Sequence, residues 1–283
     1  MLTTATNDVT GITPDQIQQL IVLPVATTSV AMQVATVMAT DATRTHIPLV
    51  TADPAAAWVA EGEEIGASDP TVDDIVAEPA KIAGLTVITN ELAADTSPAA
   101  AGIVGDGLVR DIARKIDVAF FGTKGISTVQ PDGLEDLVGV TAVTHAGVTD
   151  WTDLDLFAEA IANAEAYGLN VDTFVANPAD ALLLAQLKEA TGSNKPLLGS
   201  DPTAPTRRNI LGVPLLVSPG VTEGTVWGIP RIRAIIVRRN NVDLQVDKSA
   251  YFTSDRTAIR ATMRVTFAFP HPAAIQKIEL AAA

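Results

Sequence analysis

The 283-residue sequence contains no cysteine and only three histidines, His46, His145 and His271. Without cysteine the chain can form no disulfide, no thiolate metal site and no cysteine nucleophile. The histidines are far apart in the sequence, and none belongs to a pattern typical of a catalytic triad or a zinc-binding helix. We therefore predict no catalytic residue, no metal site and no cofactor.

Aromatic residues are also scarce: they make up 4% of the chain, although 47% of its residues are hydrophobic. The core must therefore be built mainly from small and branched side chains, which suit the pleated surface of a sheet. A chain of this length can bury a sizeable core as one large domain or two modest ones. We predict a globular α+β protein with much β structure.

Positive charge is the third scarce feature. The chain has 19 Lys and Arg against 33 Asp and Glu, which gives a formal net charge of −14. Binding to nucleic acid phosphates requires clustered Lys and Arg that release counterions. The net charge therefore argues against a sequence-specific DNA-binding function.

One long uncharged run extends from Gln16 to Thr40 and is rich in Ile, Val, Leu and Ala. Acidic residues, Asp15 and Asp41, flank it, and no cationic segment precedes it, unlike a signal peptide or a membrane span. Pro24 also interrupts the run. We interpret it as part of an arm that packs on a neighbouring surface, and we predict no membrane association.

Extended segments dominate the next part of the chain. Alternation at Val30, Met32 and Val34 predicts a strand, and a second extended piece is predicted from Arg44 to Val50. The residues from Trp58 to Thr89 have the pattern of a long hairpin with an acidic, turn-rich middle. A two-stranded ribbon is only marginally stable alone, so we expect this hairpin to lie on a partner surface.

A long helix is predicted over residues 97–121. Ser97 and Pro98 fit its N-cap and first position, and Gly122 follows its end. Apolar residues recur at every fourth position, at Val104, Leu108, Ile112, Ile116 and Phe120. The helix is therefore expected to bury one face over most of its length.

Two different secondary-structure patterns follow in the second half of the chain. Helices predicted from Thr152 to Tyr167 and from Pro178 to Ala190 alternate with short strands, which indicates an α/β subdomain over residues 146–230. Near the C-terminus, apolar and polar residues alternate strictly from Thr262 to Phe269. This alternation predicts a strand with one buried face.

Several motifs, in this order along the chain, resemble those of the tailed-bacteriophage major capsid protein family, whose fold is named after phage Hong Kong 97. The motifs are Trp58-Val59-Ala60-Glu61-Gly62, Thr89-Asn90-Glu91-Leu92 with Asp95, Asp117 through Gly122, Pro131-Asp132-Gly133-Leu134, Ala176-Asn177-Pro178, Leu211-Gly212-Val213-Pro214 with Val217-Ser218, and the strand from Arg256 to Pro270. Each motif is weak alone, whereas the ordered series is specific.

The resemblance implies a Hong Kong 97 phage-type capsid fold with an N-terminal arm, an extended β-hairpin loop, a peripheral domain with a long spine helix, and an α/β axial domain. The implied divisions are 1–29 for the arm, 30–55 for peripheral strands, 56–90 for the extended loop, 91–145 for the peripheral domain with spine helix 97–121, 146–230 for the axial domain and 231–283 for further peripheral strands.

The resemblance also implies a function, that of a capsid subunit forming hexamers and pentamers in an icosahedral shell, assembled in the bacterial cytoplasm and retained in the virion. The shell would enclose double-stranded DNA without sequence-specific binding. No Glu- and Lys-rich scaffolding region precedes the arm, so separate scaffolding, portal and decoration proteins are the candidate partners. Because Lys81 matches no cross-linking motif, we expect no covalent link between subunits.

Two other functions are consistent with parts of the pattern. An encapsulin-like nanocompartment shares the fold but encloses proteins instead of a genome. A secreted hydrolase or adhesin of mixed fold belongs to a different class, and the lack of catalytic motifs, cysteine and a signal sequence counts against it.

Charge is distributed unevenly along the chain. Residues 1–100 hold thirteen Asp and Glu but only Arg44 and Lys81, whereas residues 231–283 hold nine Lys and Arg and four acids. We hypothesise that the acidic loop of one subunit lies over a basic strip on its neighbour, with apolar contacts from Trp58 and Ile65. The alternative is that both are unrelated solvated faces. The candidate contact residues are Trp58, Glu61, Glu63, Glu64, Ile65, Asp73, Asp74, Arg231, Arg233, Arg238, Arg239, Arg256, Arg260 and Arg264.

Overall fold

A computed structural model of the protein describes residues 29–52, 71–89, 99–125, 129–145, 149–190, 192–198 and 208–281, with single residues and short pieces between 56 and 69 and at 147. Within these ranges the α-helices are α1 (Val30–Val34), α2 (Ala99–Phe121), α3 (Asp155–Ala166) and α4 (Pro178–Gln186). The strands are β1 (Thr36–Thr40), β2 (Thr45–Ala52), β3 (Thr71–Ala77), β4 (Ala80–Thr89), β5 (Thr141–Val143), β6 (Thr173–Ala176), β7 (Arg208–Ile210), β8 (Val213–Val217), β9 (Thr225–Ile229), β10 (Ile235–Tyr251), β11 (Arg256–Ala268) and β12 (Gln276–Glu279).

A four-stranded sheet in the order β1-β10-β11-β4 forms the first part of the fold. Its two central strands are the longest, with 17 residues in β10 and 13 in β11. The predicted alternation in β11 is confirmed where it faces the helix: Met263 and Val265 are buried, whereas Arg264 between them is exposed. We call the buried side the helix face and the opposite side the outer face.

Helix α2 covers the helix face, as its apolar spacing predicts. Ile112, Ile116 and Phe120 are at most 2% exposed and belong to the same core cluster as the β11 side chains. The ring of Phe120 meets that of Phe267 edge to face, with centroids 5.1 Å apart, an arrangement that the ring quadrupoles favour. A Cβ at Gly84 of β4 would overlap the side chain of Leu108, so α2 lies very close to the strand at this point.

The predicted strand at residues 30–34 is wrong, because these residues form helix α1. Ser29 supplies the N-cap, and its hydroxyl oxygen accepts from the backbone N–H of Met32. Alternating apolar residues cannot distinguish a strand from one short helical turn, and here the capping residue and a tertiary contact favour the helix. The strand begins only at β1.

The hairpin is also arranged differently from its prediction. Strand β2 pairs antiparallel with β3, with Ile47 opposite Ile75. The segment expected to return along the hairpin, residues 80–89, instead forms β4 and pairs with β11 across the register Leu85 to Arg260. Alternation identifies a strand but not its partner, so the pairing could not be read from the sequence.

Among the described residues of the β2–β3 hairpin, those at its base belong to a hydrophobic core cluster. There Ile47 and Ala77 pack with Val237 and Ala268 on the outer face of the long sheet. This contact explains why Ala268, predicted to be on the exposed side of its strand, is buried. Farther along β3 the residues are mostly exposed.

A six-stranded sheet in the order β5-β12-β9-β6-β8-β7 forms the second part of the fold. The predicted α/β subdomain lacked two of these strands, because β5 and β12 come from residues outside 146–230. Strand β12 lies between β5, to which it is parallel, and β9, to which it is antiparallel. The C-terminal strand therefore completes a sheet built mainly from the middle of the chain.

Helices α3 and α4 are both shorter than predicted. Helix α3 runs from Asp155 to Ala166, not from Thr152 to Tyr167, and its N-cap residue Leu154 makes no side-chain cap hydrogen bond. Just before the helix, a carboxylate oxygen of Asp153 accepts from the N–H of Asp155 at 3.1 Å and holds a turn there. Helix α4 begins after Asn177 as predicted, but it ends at Gln186, where Leu187 leaves the helical conformation with ψ of 137°.

A buried aspartate joins α4 to the surrounding loops. One carboxylate oxygen of Asp180 accepts from the indole Nε1 of Trp151 at 2.8 Å, and the other accepts from the N–H of Gly224 at 2.9 Å. The side chain is only 3% exposed, so both contacts lie away from solvent. Sequence reasoning did not identify this residue.

Gly133, in the motif after the long helix, lies against the helix C-terminus. A Cβ at this position would overlap the carbonyl oxygens of Gly122 and Ala119. These oxygens belong to the last turn of α2 and the residue after it, where carbonyl groups lack helical partners. The glycine is therefore required by the close approach of the turn to the helix end.

We expect the substitution Gly133→Ala to lower the free energy of unfolding by about 2 to 4 kcal/mol, because the added methyl must displace backbone atoms. Chemical denaturation of the wild-type and variant chains measures this difference. Gly66→Ala is the matched control, since a Cβ at Gly66 meets nothing within 4 Å. Equal losses in the two variants would contradict the proposed reason for Gly133.

Candidate assembly surfaces

The start of α1 is held to the long helix α2 by one buried carboxylate. Asp117 of α2 accepts from the Ser29 hydroxyl at 2.6 Å and from the N–H of Ala31 at 2.9 Å, both at Oδ1. Its Oδ2 accepts from the N–H of Val30 at 3.1 Å. A carboxylate at the first turn of a helix satisfies N–H groups that have no helical partner. Asp117 therefore fixes the position of α1.

The environment of Asp117 opposes its ionisation. Burial raises the pKa of its carboxyl above the ordinary value, and the hydrogen bonds from Ser29, Ala31 and Val30 counteract only part of that rise. Desolvation disfavours the charged form, whereas donors directed at the oxygens favour it. The net result is a buried carboxyl that binds its proton more tightly in the folded chain than in the unfolded one.

The same residue lies where the two sheets meet. Gly220, in the loop between β8 and β9, approaches so closely that a Cβ would lie 3.0 Å from the backbone carbon of Asp117. The side-chain amide of Asn177 donates to the carbonyl of Val221 in that loop at 2.7 Å. The motifs around Asn177 and Ser218 therefore lie at the contact between α2 and the six-stranded sheet.

The structure brings four of the predicted basic contact residues to one surface. Arg239, Arg256, Arg260 and Arg264 occupy the outer face of the long sheet, as their registers on β10 and β11 require. Arg264 stands directly opposite Arg239 on one side and Lys81 of β4 on the other. Like charges in such a row repel one another, so a negatively charged partner is favoured there.

Two parts of the predicted basic strip lie elsewhere. Arg238 is opposite Val265 and therefore on the helix face, where burial lowers the pKa of its guanidinium. Arg231 and Arg233 lie in a 3₁₀ turn before β10. Neighbouring residues on a strand point to opposite faces, so the pair Arg238 and Arg239 could have been separated from sequence alone.

Lys81 is the basic residue that the predicted strip missed. It is exposed on β4 and extends the outer-face row across a third strand. Leu85 and Val87 of β4 are exposed on the same face, with Leu85 59% accessible. The surface therefore combines positive charge with an uncovered apolar strip.

The acidic contact candidates are exposed wherever the structure describes them. Glu61, Glu64, Asp73 and Asp74 all lie on the surface. Trp58 is entirely exposed, at 106% of its reference area. Glu63 and Ile65 lie outside the described residues.

The histidines make local contacts. His46 pairs with Asp74 across the β2–β3 hairpin, and His145 contacts Glu159 at 2.8 Å. His271 stacks edge to face against Tyr167. In the described part of the chain no group of three or more His, Asp or Glu could hold a metal ion, and no helix there is long and apolar enough to cross a membrane.

Solved structures with a similar fold include capsids of GTA particles and structures from phages. The capsid of an empty GTA particle, computed with C5 symmetry, is similar with a TM-score of 0.74 and 17% identity, covering 100% of this chain and 96% of that chain. A structure from Microbacterium phage Oxtober96 is similar with a TM-score of 0.71 and 18% identity, covering 89% of this chain and 91% of that chain. A structure from Mycobacterium phage Adephagia is similar with a TM-score of 0.69 and 18% identity, covering 90% of this chain and 91% of that chain. The predicted α+β capsid fold is thereby confirmed.

The family can be assigned from the sequence as well. A model of the phage capsid family matches residues 10–280, which is nearly the whole chain. The protein therefore belongs to the phage capsid family. No curated protein matches the sequence.

We expect Asp117→Ala to lower the free energy of unfolding by about 2 to 4 kcal/mol, because it leaves two backbone N–H groups and a hydroxyl without their acceptor. Asp111→Ala is the matched control, since Asp111 is exposed on the same helix. Denaturation of both variants tests the prediction. A loss for Asp117→Ala no larger than that of the control would contradict it.

A second test uses pH. Because the folded-state pKa of Asp117 is raised, its ionisation opposes folding. We expect the stability of the wild type relative to Asp117→Asn to fall as pH rises from the ordinary value of 3.8 through the folded-state pKa, and then to level off. Denaturation curves of the two proteins across this range give the difference, and a rise with pH would contradict it.

Proposed function

We propose that this protein is the major capsid protein of a tailed double-stranded DNA bacteriophage, assembling as hexamers and pentamers into an icosahedral shell around the genome. The observation that carries the proposal is the match of the phage capsid family over residues 10–280. The similar GTA structures are capsids computed with C5 symmetry, which supports assembly of this chain with its own copies. The site of action is the virion, with assembly in the host cytoplasm and with separate scaffolding, portal and decoration proteins as partners.

The β2–β3 hairpin supports this function because so few of its residues are buried. It forms a two-stranded sheet, and among its described residues only Ile47 and Ala77, at its base, are buried. A ribbon of two strands has little stability in water without another surface. The surface that suits it is a neighbouring copy, because heterologous contacts of this kind close into rings.

Charge gives the contact its orientation. The acidic hairpin carries Asp73 and Asp74, and the outer face of the long sheet carries Arg239, Arg260 and Arg264. We infer that the hairpin of one subunit lies over the basic row of its neighbour. Exposed ion pairs contribute about 0 to 1 kcal/mol each, so their main effect is on registry and association rate.

The rival function is that of an encapsulin-like nanocompartment, which has the same kind of shell and a different content. Negative-stain microscopy of the expressed protein is expected to reveal uniform hollow shells. Particles purified from phage-infected cells are expected to contain nuclease-protected DNA. Shells that hold protein cargo and no DNA in infected cells would favour the rival, and the absence of any shell in infected cells, where scaffolding partners are present, would contradict both.

Charge reversal tests the hairpin contact. We expect the replacement of Glu63, Glu64, Asp73 and Asp74 by lysine to abolish shell assembly or slow it strongly, because the hairpin then repels the basic row. Light scattering follows the rate of assembly, and added salt is expected to slow the wild type.

The control reverses the same number of exposed acids outside the hairpin, at Asp41, Asp150, Glu165 and Glu223. This variant has the same net charge as the hairpin variant, so only the position of the charges differs. We expect it to assemble. Normal shells from the hairpin variant would eliminate the proposed pairing.

A further inference from the structure

A cavity of about 750 Å³ opens beside the base of the hairpin. Four segments line it: Ile47–Leu49 of β2, Tyr167 after α3, Ile232, Arg233 and Ile235 at the start of β10, and Pro270–Ala273 after β11. Its size is within the range of about 300 to 1,000 Å³ that is typical of ligand pockets. Each wall comes from a different element, so the cavity exists only in the folded chain.

Polar and apolar surface contribute about equally to the lining of this cavity, which includes two positively ionisable groups, Arg233 and His271, and no acid. Ile232 and Tyr167 are 65% and 50% exposed, large fractions for apolar and aromatic side chains. Within the described chain, Nε of Arg233 and Nδ1 of His271 are buried without a hydrogen-bond partner. A buried polar nitrogen without a partner is costly, so a group that supplies an acceptor is favoured there.

The hairpin tip has the complementary composition. Trp58 is entirely exposed, whereas the other two tryptophans, Trp151 and Trp227, are at most 5% exposed. Glu61 and Glu64 lie close after Trp58 in the sequence and are exposed as well. Tryptophan is a frequent anchor of protein interfaces, because it buries a large apolar area and keeps one N–H for a hydrogen bond.

The complete exposure of Trp58 also shows that the tip does not occupy the cavity of its own chain. Residues Ile47–Leu49, which line the cavity, and Trp58 belong to the same hairpin. A second copy of the chain can bring its tip to this cavity where the first copy cannot. Repetition of such a head-to-tail contact generates a ring.

We propose that Trp58 of one subunit inserts into this cavity on the neighbouring subunit, with the carboxylate of Glu61 next to Arg233 and His271. The inference rests on the proposed function, because it requires subunits that assemble. It assigns the anchor and the receptor of the contact between hairpin and neighbour, beyond the charged row on the sheet.

Cysteine cross-linking tests this contact directly, since the natural chain has no cysteine. The test variant carries Glu61→Cys and Ile232→Cys, which place one thiol at the tip and one at the cavity rim. The control variant carries Glu61→Cys and Val138→Cys, with the second thiol at an exposed position outside the cavity. Assembled particles of both are treated with a short bismaleimide and separated under denaturing conditions.

The test variant is expected to give ladders that reach five and six chains, with cross-linking about tenfold faster than in the control because the two thiols are held close together. Equal rates in intact particles would overturn the inference while leaving the proposed function standing. Failure of the wild type to form particles at all would contradict the proposed function itself.

Tryptophan fluorescence provides a second measurement on the otherwise unmodified chain. The emission of Trp58, obtained by subtracting the spectrum of Trp58→Phe, is expected to shift to shorter wavelength on assembly and to become less accessible to acrylamide. The two buried tryptophans should change little. An unchanged Trp58 emission in intact shells would overturn the inference.

Discussion

The packing of α2 on the helix face of the long sheet is the contact on which the other parts of the molecule depend. Ile112, Ile116 and Phe120 anchor the helix to β11, and the rest of α2 then serves as a reference for its neighbours. Asp117 presents its carboxylate to the start of α1, and its backbone lies beneath the loop at Gly220. Because one helix positions both α1 and the loop at Gly220, a shift of α2 displaces both.

The elements that could be predicted are those whose signal is local. The four-residue spacing in α2 and the two-residue alternation in β11 each report burial against one surface, and both elements are present. The prediction of a strand at Val30–Val34 was wrong because Asp117, far away in the sequence, supplies the contact that stabilises a helical turn there. The strand pairing could not be predicted for the same reason: no local pattern shows that β4 pairs with β11, or that β12 joins the six-stranded sheet.

The sequence showed that the candidate contact surface is basic, but it showed only in part which basic residues share one face of the sheet. Clustering of Arg and Lys near the C-terminus is visible in the sequence, but Arg238 and Arg239 separate onto opposite faces once they lie on a strand. Lys81 joins the basic row through a pairing across about 180 residues of chain. The burial of Asp117 could have been predicted from the sequence, since an acid on the apolar stripe of a helix requires a partner.

The route of the chain around the long sheet has a mechanical consequence. Strands β1 and β4 are the two margins of that sheet, and the hairpin is the connection between them. A pull on the hairpin is therefore divided between both margins, and neither outer strand has to resist peeling alone. A wall made of such subunits can distribute the outward pressure of its contents through the interior of each sheet.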